Sequence, residues 1–424
     1  MCLKWYANTM LNITHEYRIY PSANQEATMV NWLEHCRRVY NYALTERKDW
    51  IRSRKCDINC CSIEREYIIS VDVLSPTYIR QQNALTKYRQ TSLELQSIHS
   101  QVLQGALRQL DNAFKNMWEK GFGFPRFKKP GRVRSFLFPQ LGKSPVRADA
   151  IKLPIFGWVS AVLHRPIPDG FEIKQARIVK RAAGWYALLS LEIDVSVPNV
   201  MPHGHAIGID LGLNTFAATS DGELIARPRF FVDLQRELKL LQRRLKHKKK
   251  GSKNWLKLQR KIGRLHQRIS NTRKDYHFKT ANGLCDNAGM IFAEDLNLKA
   301  MSKGMLCKHT LDAGFGQFLS ILSWVCWKRG VYFGKVDPNG TSQVCPRCDA
   351  HVPKNLGVRI HDCPECKYTT DRDVASAQVV VQRGLTAVGL TVSKLPADGF
   401  GLSDRMMQEV PGAILGSPRY TRKG

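Results

Sequence analysis

The sequence predicts an α/β protein with all-β and helical parts: a β-barrel carrying a helical insert, then an α/β domain interrupted by a small metal-binding ribbon. Three stretches lead to this reading. The first is the apolar strand AIGIDLGLN, Ala206 to Asn214, followed by TFAATS, an Asp221-Gly222 turn and ELIARP. Three short strands joined by tight turns form an antiparallel meander, the usual opening of an RNase H-like fold. The second is the alternating segment ITHEYRIYP, whose strand partners are the distant runs AVLHRPIP, FEIKQARIVKR and WYALLSLEID. The third is a CxxC at Cys345 to Cys348, fourteen residues, then a second CxxC at Cys363 to Cys366.

In chain order, residues 1–20 and 121–203 are assigned to the barrel and 21–120 to the helical insert. Within the insert Val102, Leu103, Ala106, Leu107, Leu110, Ala113, Phe114 and Met117 recur at helical spacing and make a packing stripe. From Gly121 to Pro139, Phe122, Phe124, Phe127 and Phe136 interleave with Arg126, Lys128, Lys129, Arg132 and Arg134. Rings that stack on bases beside cations that hold phosphates suit a nucleic-acid surface, and a basic loop over a hydrophobic anchor gives the same pattern.

Residues 204–340 and 370–394 are assigned to the α/β domain and 341–369 to the ribbon. Within the domain, 231–280 reads as a helical pair. Leu234, Leu238, Leu241 and Leu245, then Leu258, Ile262, Leu265 and Ile269, keep heptad-like spacing on either side of HKKKGSKN. Seventeen basic residues against three acidic ones make a merely solvated coiled coil the poorer explanation. This pair, with Lys248, Lys249 and Lys250 at its turn, is expected to lie against nucleic acid. Residues 395–424 read as a disordered basic tail.

Across 424 residues, 65 Lys and Arg against 36 Asp and Glu leave a formal charge of +29. That excess points to a polyanionic partner, with nucleic acid foremost, although structural RNA binders share it without being enzymes. No apolar run reaches the roughly 18 residues of a membrane span, and MCLKWYANTM has no signal-peptide core, so a cytoplasmic protein is expected. Twelve cysteines in a long intracellular chain suggest free thiols and metal, and Cys56, Cys60 and Cys61 read as buried or incidental thiols. Each CxxC turn offers two thiolates, so Cys345, Cys348, Cys363 and Cys366 complete the tetrahedron of one closed, structural Zn²⁺ site.

Asp210 interrupts an apolar strand. Alone it would be a strand-end carboxylate, but a second apolar run, Met290 to Ala293, ends in Glu294, and a third acid lies in Asp371-Arg372-Asp373 ahead of a helical stretch. Three carboxylates on separate elements of a basic chain are what two Mg²⁺ ions need for in-line phosphodiester hydrolysis. Strand alternation puts Asp295 on the face opposite Glu294.

With GIDLGLNTFAATS, FAEDLNL, VDPNGTSQVCPRC and CPECKYTTDRDVASA in this order, and YRIYP and GFGFPRFKKPG upstream, the chain resembles the TnpB family of transposon-encoded, RNA-guided DNA endonucleases, relatives of the type V CRISPR effectors. The resemblance runs from about Leu11 to Leu385. It implies a wedge-type barrel holding a helical recognition domain, then a RuvC nuclease domain with an inserted zinc ribbon. It implies Asp210, Glu294 and Asp373 as the catalytic acids, with Asp371 capping the helix or standing behind them. It also implies a guide RNA, a double-stranded DNA target and Mg²⁺-dependent cleavage in a prokaryotic cell. The alternatives are a guided DNA binder that does not cut and a transposase of the same fold. Asp349 and Lys367 depart from the family pattern, standing where glycine commonly follows each CxxC and relieves a left-handed backbone position.

Overall fold

The computed structural model describes residues 10–55, 69–70, 72–142, 144–194, 199–355 and 357–390. Cys56, Cys60, Cys61 and the tail from 395 lie outside the described residues. The chain divides into two compact units, Met1–Val197 and Pro198–Gly424.

The first unit is built on a six-stranded sheet. Its strands are β1 (Met10–Tyr20), β2 (Ser135–Phe138), β3 (Ala150–Leu153), β4 (Gly157–Val162), β5 (Glu172–Arg181) and β6 (Gly184–Asp194). They lie in the order β2-β5-β6-β1-β4-β3 with every pair antiparallel. The long pairing of β1 with β6, from Met10 opposite Asp194 to Ile19 opposite Trp185, puts the first strand at the centre of the sheet.

The expected barrel is corrected to a half-barrel, because β2 and β3 remain at the edges of the order. Helices cover the apolar face in place of strand closure. Helix Ala23–Ser53 starts at Ser22, which forms a capping box with Gln25. It contributes Trp32, Leu33 and Cys36 to the core, and helix Ser100–Lys120 contributes Val102, Leu103 and Ala106. Trp32 is fully buried with its ring centroid 5.6 Å from that of Phe136 and 4.6 Å from that of Phe156. An apolar sheet face can be buried by a helical layer as well as by closure, and here it is the helices that bury it.

The second unit carries a mixed five-stranded sheet of β7 (Ala206–Leu211), β8 (Thr215–Thr219), β9 (Leu224–Ala226), β10 (Met290–Glu294) and β11 (Tyr332–Val336), in the order β11-β10-β7-β8-β9. β7, β8 and β9 form an antiparallel meander, while β10 runs parallel to both β7 and β11. Alternation splits the sheet into two packed faces. Ile207, Ile209, Ile291 and Ala293 meet helices Lys253–Asp286 and Phe315–Arg329 through Leu284, Phe318 and Leu322. Ala206, Met290 and Phe292 meet helix Arg372–Ala387 through Val380, Val381 and Leu385.

That last helix lies unusually close to the strand. A Cβ placed on Gly208 would stand 2.1 Å from the Ala377 carbonyl oxygen, and one on Gly384 would stand 2.2 Å from the Phe292 ring. The glycines are therefore required by backbone proximity. Helices Gln235–Lys246 and Lys253–Asp286 pack through Leu238, Leu265 and Ile269 beside Phe230, and Lys248, Lys249 and Lys250 are exposed at their turn.

Candidate metal centres and nucleic-acid surfaces

The parallel register of β7 and β10 brings two of the acids together. Ile209 lies opposite Ala293, so Asp210 and Glu294 are the next residues on neighbouring strands and share the face that receives helix Arg372–Ala387. The third, Asp373, stands in the first turn of that helix. Asp371 caps it, accepting a hydrogen bond from the Asp373 amide at 2.8 Å. Asp295 turns to the other face and pairs with Lys335 at 2.8 Å.

Electrostatics marks the three as neighbours. Burial, then the negative charges of Glu294 and Asp373, hold the Asp210 carboxyl well above the usual carboxylate range. Burial likewise raises Glu294, opposed by a hydrogen bond from Thr341 and by the charge of Arg383. Like charges gathered in a partly dehydrated site favour protons or cations. The acids are spread out nonetheless. Among the described residues only the four cysteines bring three or more metal-ligating atoms within 4.8 Å of one another.

Two hydroxyls that the sequence reading did not single out touch the acids. Thr341 Oγ1 donates to Glu294 Oε1 at 2.6 Å, and Thr215 Oγ1 donates to Asp373 Oδ2 at 3.1 Å. Thr215 and Thr341 lie in the motifs GIDLGLNTFAATS and VDPNGTSQVCPRC, but a hydroxyl at the first residue of a strand or of a 3₁₀ turn has no periodicity that marks it beforehand.

The cysteines sit on two matching knuckles. Cys345 N donates to Ala350 O and Asp349 N to Cys345 O, and Cys363 N donates to Tyr368 O and Lys367 N to Cys363 O, all at 2.9 to 3.0 Å. Each turn closes with its fifth residue left-handed, Asp349 and Lys367 both at φ 60°. Sulfur pairs approach to 3.6 Å for Cys345 and Cys366 and 3.5 Å for Cys348 and Cys363. β12 (Ile360–Asp362) and β13 (Thr369–Asp371) form the hairpin that runs from the ribbon into Asp371.

The candidate nucleic-acid residues divide. Arg126 and Lys129 are exposed, as are Phe122, Phe124 and Phe127, but Phe136 is core. Lys128 is occupied locally. Its amide donates to Asn41 Oδ1 at 2.8 Å, its carbonyl accepts from Asn41 Nδ2 at 3.0 Å, and its ammonium lies 3.9 Å from the centre of the Tyr40 ring. The same unit holds a cavity of about 530 Å³ between helix Ser100–Lys120 and β2, lined by Gln101, Gln104, Gln109, Asn112, Gln140 and Arg177.

The fold resembles that of the protein in a solved Cas12f1–sgRNA–target DNA complex, which matches over 88% of this chain and 99% of that one, with a TM-score of 0.51 at 13% identity. Family profiles match the OrfB_IS605 family, described as a probable transposase, at residues 189–305, and the Cas12f1-like TNB domain at 315–380. A helix-turn-helix profile matches residues 10–56, where the described residues form one strand and one long helix. InsQ of Escherichia coli strain K12, provisionally named an RNA-guided DNA endonuclease, is 30% identical over 388 residues, covering 87% of this chain and 91% of InsQ. A similarly named protein of Streptomyces pristinaespiralis is 30% identical over 420 residues, covering 95% of this chain and 98% of the relative. The chain belongs to the OrfB/TnpB family. Among the described residues no helix is long and apolar enough to cross a membrane.

Proposed function

We propose that this protein is an RNA-guided, Mg²⁺-dependent DNA endonuclease with Asp210, Glu294 and Asp373 as its catalytic acids on a RuvC-type, RNase H-like sheet. The observation that carries the proposal is that Asp210, Glu294 and Asp373 lie on three different elements at one end of one sheet face, with the charges of Glu294 and Asp373 acting on Asp210. The names of the relatives support the guided nuclease reading, and the intact set of acids argues against the silent binder.

The donor set suits the ion. Hard carboxylate oxygens in a partly dehydrated anionic site suit Mg²⁺. Bound there, Mg²⁺ would activate water and neutralise charge on the attacking and leaving oxygens of an in-line displacement. Thr215 and Thr341 each tie down one carboxylate oxygen. The four clustered thiols fit one structural Zn²⁺, which would fix the ribbon without an open position for chemistry.

The guide RNA or its heteroduplex would meet the exposed cations Lys248, Lys249 and Lys250 of the second unit, and Arg126 and Lys129 are separate candidates on the first. Such proteins hold a heteroduplex by shape and charge and leave sequence discrimination to base pairing. We place the wedge function in 1–20 and 121–203, recognition in 21–120, the nuclease in 204–340 and 370–394, and the ribbon in 341–369.

Asp210→Ala tests the reading. It should abolish cleavage of guide-matched DNA in Mg²⁺ while guided DNA binding persists, and full cutting by this variant would overturn the assignment. Asp371→Ala should retain substantial activity, since Asp371 holds the helix start and not the proposed ion site.

A further inference from the structure

Glu294 is the most enclosed of the three acids, at 7% exposure. The hydroxyl on it is enclosed as well, Thr341 being 5% exposed. At 2.6 Å from Oε1, this hydroxyl makes a charge-assisted hydrogen bond to the carboxylate. The Pro338 carbonyl is a second acceptor at 3.2 Å, but a hydroxyl has one proton to give, and the nearer, charged acceptor takes it.

Thr341 is itself held on both sides. Gly340, at φ 74°, turns the chain into the short 3₁₀ turn Thr341–Gln343. Arg383, on helix Arg372–Ala387, donates Nη1 to the carbonyls of Asp337 and Asn339, each at 2.8 Å. The helix that carries Asp373 thus also clamps the loop that carries Thr341. Cys345 follows four residues later.

We propose that Thr341 is a positioning residue for the metal-dependent reaction, its hydroxyl fixing one oxygen of Glu294 and leaving the other for the ion. The proposal rests on the reading of Asp210, Glu294 and Asp373 as the ion-holding acids.

Three variants of the full chain test it: Thr341→Val, which keeps the shape and removes the hydroxyl, Thr341→Ser, which restores it, and Glu294→Gln. The readouts are the Mg²⁺ concentration that half-saturates single-turnover cleavage by the guide-loaded protein, Mn²⁺ binding by electron paramagnetic resonance after nucleic acid is stripped at high salt, and zinc per chain. A hydrogen bond to a charged group is commonly worth a factor of about ten or more, so Thr341→Val should raise half-saturating Mg²⁺ and weaken Mn²⁺ binding by about tenfold. Its zinc content should not change, and Thr341→Ser should return both metal readouts to within about twofold of the parent. Unchanged metal readouts in Thr341→Val would overturn the proposal, as would zinc loss in that variant or failure of serine to restore. Glu294→Gln separates the two levels: if it cuts normally the carboxylate reading itself fails, whereas an inert Glu294→Gln beside an unaffected Thr341→Val defeats only the role of Thr341.

Discussion

Gly208→Ala should disturb the second unit where helix Arg372–Ala387 packs on β7. The added methyl carbon would stand 2.1 Å from the Ala377 carbonyl oxygen, 2.7 Å from Val381 N and 3.0 Å from Val381 Cβ. Against the 3.0 Å that Cβ contacts respect, the shortfall at the carbonyl is 0.9 Å, and it is met by backbone that cannot rotate away. Helix Arg372–Ala387 therefore has to move off β7, and Asp373 moves with it relative to Asp210. Overpacking of this kind costs about 1–3 kcal/mol. For a unit of this size that lowers the melting temperature by roughly 2–12 °C, at about 2–4 °C per kcal/mol. A displacement near 1 Å at the reacting centre costs about 100-fold in rate. Single-turnover cleavage and thermal melting would be measured on Gly208→Ala beside Gly283→Ala, whose added methyl meets nothing within 4 Å. The control should match or slightly exceed the parent in stability, since alanine is the better helix former. Parent-like cleavage and melting in Gly208→Ala would refute the close packing of helix on strand and the dependence of the acids upon it.

Three further outcomes follow from particular residues. His277 is fully buried, its Nε2–H donating to the Ala313 carbonyl at 2.9 Å, and burial lowers its pKa to about 4. The unfolded chain takes up that proton near the ordinary value of about 6.5, so stability should fall by up to about 3 kcal/mol as pH drops from about 6.5 to 4, and chemical denaturation of His277→Gln should show a flatter acid limb. Lys367→Gly removes a side chain held at φ 60°, a strain of order 1 kcal/mol, and should tighten zinc retention against a chelator by a few-fold; weaker retention would mean the knuckle tolerates lysine without strain. Replacing Lys248, Lys249 and Lys250 with Ala should flatten the slope of log affinity for guide RNA against log salt without altering zinc content, and an unchanged slope would assign the polyanion to another surface.

What could be read from the sequence was whatever a short-range rule governs. Asp210 and Glu294 stand out because a carboxylate in an apolar strand is costly, and the paired CxxC stands out because tetrahedral thiolate geometry imposes its spacing. Strand pairing order was less accessible. The apolar faces of β2 to β6 would be equally buried by barrel closure or by helices, and alternation does not distinguish the two; the cover supplied by Trp32, Leu33 and Val102 decides for the open sheet. Lys128 shows the same limit for charge. A lysine among phenylalanines reads as a phosphate contact until a distant Tyr40 ring and Asn41 amide engage it.

The ribbon shows how a local departure and a long-range arrangement meet. Asp349 and Lys367 stand where glycine is usual, and both adopt the left-handed backbone that makes glycine usual, so the turn is imposed on them by the knuckle and not chosen by the residue. Such a turn needs an external constraint, and four thiolates converging on one ion would supply it. The constrained segment begins four residues after Thr341, which holds Glu294, and its hairpin ends at Asp371, which caps the helix of Asp373. Two of the three acids are thus fixed at the entrance and exit of the ribbon. Loss of the zinc-binding fold should therefore disturb the acids before it disturbs the sheet beneath them, because β7, β8 and β10 are packed by Phe216, Ile209 and Ile291 independently of the ribbon.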